Sequence, residues 1–238
     1  PQNAIDWSNL SGKQIVFAHQ SVGTNILNGV EQLARRDGIS LPVHEQRGAP
    51  AGTGITHFNV GRNEDPLGKI RDFSAAMDAG AARGADIALM KLCYIDFNTQ
   101  TDARQVAEAY ISSLDTLSQK YPDTRFVAVT APLAAAQTGP KAWIKRLLGK
   151  QPAQYIENAK RAEFNELVRA HYQSGSRLFD LARVEADGGG TRTVVRVAGR
   201  DVEALDPALT DDGGHLNERG ELLAAAEFLK VIGANPVK

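Results

Sequence analysis

Short, fully apolar runs alternate with amphipathic stretches along most of the chain, a rhythm that predicts strands feeding into helices. Gln14-Ile15-Val16-Phe17-Ala18 reads as a buried strand, and it passes through His19-Gln20-Ser21 into residues 22–36, where Val22, Ile26, Leu27, Val30 and Leu33 share one helical face. Residues 41–66 break the rhythm. Gly48, Gly52, Gly54, Gly61, Pro50 and Pro66 make this segment mostly loop, with one short strand near Leu41–Glu45. Leu67, Ile70, Phe73 and Met77 then predict a helix over 67–82, and the near-continuous apolar run Asp86–Ile95 has the look of a strand buried on both faces of a parallel sheet.

The second half repeats the alternation. Ala107, Tyr110, Ile111, Leu114 and Leu117 fall at helical spacing, and Arg125–Thr130 supplies another buried strand. After Ala134 the pattern breaks around Gly139, Pro140, Gly149 and Pro152, which predicts an insertion at 134–155 over the sheet edge. Within it, Trp143, Ile144, Leu147 and Leu148 form an apolar cluster that fits either a lid or a piece packed on that edge. A helix over about 155–173 leads to a strand at Ser176–Leu181, and 191–204 alternates around Ala198-Gly199-Arg200 like a surface hairpin. Asn217 is placed to cap a last helix that Gly233 and Pro236 stop. No repeat or linker divides the chain, so a single α/β domain over 1–238 with a parallel sheet is expected.

Composition narrows the function classes. The 27 basic residues nearly balance the 28 acidic ones, so there is no overall electrostatic pull toward nucleic acid or an anionic membrane. No stretch approaches the roughly 18 consecutive apolar residues of a membrane-spanning helix, and no integral membrane segment is expected. Cys93, the one cysteine, makes no internal disulfide or thiolate cluster, and His19, His44, His57, His171 and His215 show neither HxH nor HExxH spacing. No metal or other cofactor is therefore expected. Gly48–Gly54 has the glycines of a phosphate loop without its Lys-Ser/Thr ending. The start Pro1-Gln2-Asn3, with methionine only at Met77 and Met90, suggests a processed or trimmed chain. A removed signal peptide would make the protein periplasmic or secreted, and a cytoplasmic location stays open.

Two segments carry the chemistry. Ser21 lies at the turn between the first buried strand and the first helix, where open α/β sheets present ligands, and where its own N–H faces any anion formed there. Serine is also a favoured helix cap, so that plainer role stands beside it. Far along the chain, Asp211-Asp212-Gly213-Gly214-His215-Leu216-Asn217 sets a carboxylate three residues before a histidine, just ahead of the last helix. A carboxylate so placed can fix the imidazole tautomer and leave the other ring nitrogen to take a serine proton.

His19-Gln20-Ser21-Val22-Gly23 and Asp212-Gly213-Gly214-His215-Leu216-Asn217 resemble the first and last blocks of the SGNH/GDSL hydrolase superfamily. The resemblance implies a flavodoxin-like three-layer α/β/α sandwich with a central parallel sheet of about five strands. It also implies Ser21 as nucleophile, His215 as general base and Asp212 as its orienting partner. Two departures stand out. The usual Gly-Asp-Ser-Leu is His19-Gln20-Ser21-Val22, and Ile95 stands where the third block usually supplies an asparagine to the oxyanion hole. The expected oxyanion donors are the N–H groups of Ser21 and Gly61 and the amide of Asn63, with Asn98 next in line. His19 and Tyr94 are placed to contact substrate.

The expected activity is that of a serine esterase working through an acyl-enzyme. A polar, glycine-rich second loop favours O-acetyl groups on bacterial polysaccharide or cell-wall sugars, so the expected partner is a small-molecule or carbohydrate ester. An O-acetyltransferase of the same fold is the alternative within this chemistry. Outside it lies a degenerate hydrolase fold that binds polysaccharide without turnover.

Overall fold

The computed structural model describes residues 5–136, 153–172, 177–188 and 190–235. Most of the expected insertion at 134–155, including the Trp143 cluster, lies outside the described residues. Six strands form one parallel sheet: β1 (Gln14–His19), β2 (Val43–Glu45), β3 (Gly54–Asn59), β4 (Ile87–Met90), β5 (Arg125–Val129) and β6 (Leu178–Phe179). They are ordered β2-β3-β1-β4-β5-β6. Ile15–Ala18 of β1, Ile87–Met90 of β4 and Phe126–Val129 of β5 are apolar throughout because helices cover both faces.

On one face lie α1 (Val22–Arg36), α5 (Leu181–Ala186) and α6 (Glu218–Gly233), packed on Ile15, Phe17, Leu89 and Val127. The other face carries α2 (Pro66–Ala76), α3 (Ala103–Lys120) and α4 (Ala153–Tyr172), packed on Val16, Ala18, Ala88 and Phe126. This is a three-layer α/β/α sandwich, with one more strand than the resemblance implies. An antiparallel hairpin, β7 (Val194–Val197) and β8 (Arg200–Glu203), packs against α4 through Val195, Val202 and Tyr155.

Two local expectations fail for physical reasons. Residues 54–59 are a central strand rather than loop, in register with β1 from Gln14↔Gly54 to His19↔Asn59. Gly54 begins it at φ 107, with the Pro42 carbonyl so close that a Cβ would stand 2.3 Å from its oxygen. The glycines thus fit the entry to a strand as well as they fit a loop. At the far edge the predicted strand through Leu181 stops at Phe179, because the Asp180 carboxylate caps α5 by accepting from Arg183 N.

The chain leaves β1 to one side, for β2 and then β3, and returns to the other, for β4. The carboxyl ends of β1 and β4 therefore flank the sheet's topological switch point, where such sheets bind ligands. The helices that follow the two chemical segments meet directly. Glu221 of α6, nearly buried, accepts from Asn25 (2.7 Å) and Asn28 (3.0 Å) of α1. Gly29 lets the backbones touch, since a Cβ there would lie 2.2 Å from the Glu221 carbonyl oxygen. Gly29→Ala is therefore expected to cost about 1–3 kcal/mol of stability by forcing α1 from α6. Urea unfolding of the variant checks this, and an unchanged midpoint would refute it.

Candidate active site

Ser21 follows β1 at φ 50 and ψ −104, a conformation side-chain-bearing residues rarely adopt. It occupies the second position of a tight turn closed by Gly23 N–H to Gln20 O (3.1 Å), where glycine is usual. Holding serine there costs on the order of 1–3 kcal/mol, and such strain gathers at functional positions. The turn rests on the buried His19 ring: a Cβ on Gly23 would stand 2.2 Å from His19 Cγ. The serine hydroxyl makes no cap to α1. It is hydrogen-bonded instead to His215 Nε2.

His215 is set by its own loop. Asp212 Oδ2 lies 2.6 Å from His215 Nδ1, while Oδ1 accepts the backbone N–H groups of His215 (2.8 Å) and Gly214 (2.9 Å). These contacts, the His215 N–H first, then its ring and the Gly214 N–H, hold the Asp212 carboxyl well below the usual carboxylate range. An ionised carboxylate at Nδ1 places the ring proton there and leaves Nε2 to accept from Ser21. The loop is anchored at both ends, by Ala135 N–H to Gly213 O (2.8 Å) and by Asn217, whose side chain caps α6. Ser21, His215 and Asp212 thus meet from opposite ends of the chain, with His215 and Asp212 both about half exposed at the mouth.

Tyr94 stands against this group. Its ring meets His215 edge to face at 5.8 Å, and Gly214 has no room for a Cβ beside it. Burial, then the nearby Asp212 charge, raises the phenol further, so it stays protonated. The buried Arg161 grips the Tyr94 carbonyl with two N–H groups, at 2.9 and 2.8 Å. Ile95, where the sequence resemblance leads one to expect an asparagine, is exposed.

Two expected assignments are corrected. The Gly61 N–H donates to Asp72 Oδ2 (2.7 Å), so it is not available to an oxyanion. His19 is no substrate contact, since it is buried between Phe17 and His57, with Nε2 3.1 Å from His57 Nδ1. Burial, helped by Lys91 and His57, pushes its pKa down to about 3, so it is neutral at ordinary pH. Gln20, between them, ties the β1 and β3 ends together by donating to the carbonyls of Val60 (2.8 Å) and Gly61 (2.7 Å). Asn63 keeps its side chain at the surface of the same loop, with Oδ1 accepting from Lys69 Nζ (3.0 Å). Asn98 bonds within its own turn, to Gln100 and Thr101.

Beneath the site lies a charged layer that sequence reading missed. Lys69 and Asp96 pair at 2.8 Å with no exposure, and Lys91 and Glu185 are equally buried. Burial pushes Glu185 up to about 8, although the Leu133 N–H, Lys91 and Arg161 pull the other way. A carboxyl raised by folding stabilises fully below its ordinary value near 4.5, and that contribution is lost as pH rises toward 8. The slope is about 1.4 kcal/mol per pH unit. Glu185→Gln is expected to keep the bond from Leu133 N–H and flatten this dependence. Thermal unfolding between pH 5 and 8 checks it, and parallel curves for the two proteins would count against it.

No protein-family model matches the sequence, and no curated protein matches it. Solved structures are similar in fold. A protein from Streptococcus pneumonia provisionally named a platelet activating factor matches at 13% identity and TM-score 0.53, over 93% of this chain and 84% of its own. A provisionally assigned SGNH hydrolase from Slackia heliotrinireducens matches at 15% identity and TM-score 0.53, over 93% of this chain and 99% of its own. The periplasmic domain of a lipopolysaccharide acetyltransferase from Salmonella ser. Paratyphi A matches at 15% identity and TM-score 0.51, over 90% of this chain and 81% of its own. Among the described residues no helix is long and apolar enough to cross a membrane.

Proposed function

We propose that this chain, which has the fold of the SGNH/GDSL hydrolases, is a serine ester hydrolase with Ser21, His215 and Asp212 as its catalytic triad. One observation carries the reading: a serine hydroxyl on a strained turn bonds to His215 Nε2, while His215 Nδ1 faces a carboxylate. Ser21 Oγ attacks the ester carbonyl as Nε2 takes its proton, and the Ser21 N–H and the Asn63 amide receive the charge on the carbonyl oxygen. The carbon–oxygen bond to the alcohol breaks, and that alcohol leaves with the proton from Nε2. Water then attacks the acyl-enzyme and gives its proton to Nε2, which returns it to Ser21 Oγ as the bond to the acyl carbon breaks, releasing the carboxylic acid and free Ser21.

The favoured substrate is a carbohydrate O-acetyl ester on bacterial polysaccharide or cell-wall sugars, in keeping with a periplasmic or secreted enzyme. The half-exposed His215 and Asp212 leave room for a bulky alcohol beside a small acyl group. Tyr94, partly exposed beside His215, is the residue that would contact that alcohol. A second reading has a sugar hydroxyl replace water in the second step, making the protein an O-acetyltransferase. The fold it shares with a lipopolysaccharide acetyltransferase domain favours keeping that reading.

A fluorophosphonate tests the proposal. Mass spectrometry is expected to place one adduct on Ser21, with p-nitrophenyl acetate hydrolysed in the presence of chelator and acetate released from acetylated xylan. Acetyl transfer to an added oligosaccharide would select the second reading. An enzyme neither labelled nor active on any ester would overturn both and leave a polysaccharide-binding protein.

A further inference from the structure

Hydrogen bonds, one ring contact and short runs of chain close a ring around Ser21. From Ser21 the contacts run to His215, to Tyr94, through Ile95 to Asp96, across to Glu64 and Asn63, along the chain to Gly61, and back through Gln20. One side of this ring is held from below by the Lys69–Asp96 pair. Asp96 Oδ1 accepts from Glu64 N (2.9 Å) and Oδ2 from Cys93 N (2.7 Å), which fastens the loop after β3 to the loop after β4. Lys69 Nζ donates to both Asp96 oxygens at 2.8 Å and to Asn63 Oδ1 at 3.0 Å.

We infer that the buried Lys69–Asp96 pair is a positioning device for the oxyanion hole, taking over the work of the third-block asparagine that Ile95 has replaced. An amide is planar, with oxygen and NH2 on opposite sides, so a cation fixed on Oδ1 fixes where the NH2 points. Lys69 can be nothing but a donor. It therefore excludes the flipped amide, in which an NH2 would face the ammonium. Asn63 is exposed on the loop that Gln20 ties to the Ser21 turn through the Gly61 carbonyl, and its NH2 is the group assigned here to the carbonyl oxygen of the substrate. A pair without solvent contact does not sway as a surface lysine would, and this suits a group that must hold an amide in place before charge develops.

The inference rests on the serine hydrolase reading, and the test separates the two. Labelling of Ser21 by a fluorophosphonate and steady-state hydrolysis of p-nitrophenyl acetate are compared in wild type, Asn63→Ala, Lys69→Met, Lys69→Arg and Asn63→Ala/Lys69→Met. Asn63→Ala is expected to lower kcat about 10²-fold with KM nearly unchanged, as loss of one oxyanion donor does. Lys69→Met is expected to lose about as much, Lys69→Arg less, and the double variant no more than Asn63→Ala alone, since both act through one amide. Should Lys69→Met not fold, Lys69→Met/Asp96→Asn leaves no lone buried charge and takes its place. A folded Lys69 variant with wild-type kcat, or losses that multiply in the double variant, would overturn the inference while Ser21 labelling leaves the hydrolase reading intact. Absence of labelling in the wild type would overturn both.

Discussion

Ser21→Ala is expected to abolish ester turnover, lowering kcat/KM on the order of 10⁴–10⁶-fold, because the nucleophile is lost while the binding surface stays. The variant should fold normally, since among the described residues the hydroxyl bonds to the half-exposed His215 and does not cap α1. Thermal stability then gives a second, independent reading of the same residue. Alanine keeps a Cβ at φ 50 and inherits the strain of the turn, whereas Ser21→Gly should release it and raise stability by about 1–3 kcal/mol. An inactive Ser21→Gly protein that is more stable than wild type would mark the serine as kept for chemistry against a structural cost. Wild-type turnover in Ser21→Ala would refute the acyl-enzyme mechanism outright.

The elements legible in the sequence were those in which burial and periodicity agree. β1 with α1, β4, β5 and α6 all show apolar patterns that match their covered faces. β3 was hidden because its buried positions include Thr56, and because His57 pairs with His19 across the sheet; a polar residue satisfied by a tertiary partner reads as loop. The same blindness governs the site. Ser21, Asp212 and His215 could be singled out because each depends on its place beside a strand or helix end. The roles of Gly61 and His19 are not legible locally because they depend on partners brought up by folding, Asp72 for the one and Phe17 and His57 for the other. Lys69 sits on α2 beside Leu67, Ile70 and Phe73, outside the apolar pattern that predicts the helix, yet it has no exposure at all. The Asp96 carboxylate, brought in from the end of β4, with Asn63 Oδ1 beside it, makes that burial tolerable.

Asp212→Asn should be nearly as damaging as loss of the nucleophile, with kcat down about 10⁴-fold and the fold preserved. Asparagine can still accept the backbone N–H groups of Gly214 and His215 through its oxygen, so the loop should keep its shape. Its NH2 would then face His215 Nδ1, which must turn acceptor, and the ring proton moves to Nε2. A protonated Nε2 cannot take the Ser21 proton. The defect should persist across the pH range instead of shifting with it. In the wild type Asp212 is held well below the usual carboxylate range, so its contribution to stability is present above that range and is lost only as pH falls through its depressed value. Neutralisation of Asp212 therefore should not account for activity lost on mild acidification of a folded enzyme. Parallel pH–rate profiles offset by about four decades, with fluorophosphonate labelling slowed alike, would establish Asp212 as the group that fixes the tautomer. Turnover within tenfold of wild type would remove it from the triad and leave His215 to be oriented by its loop backbone and the edge of Tyr94.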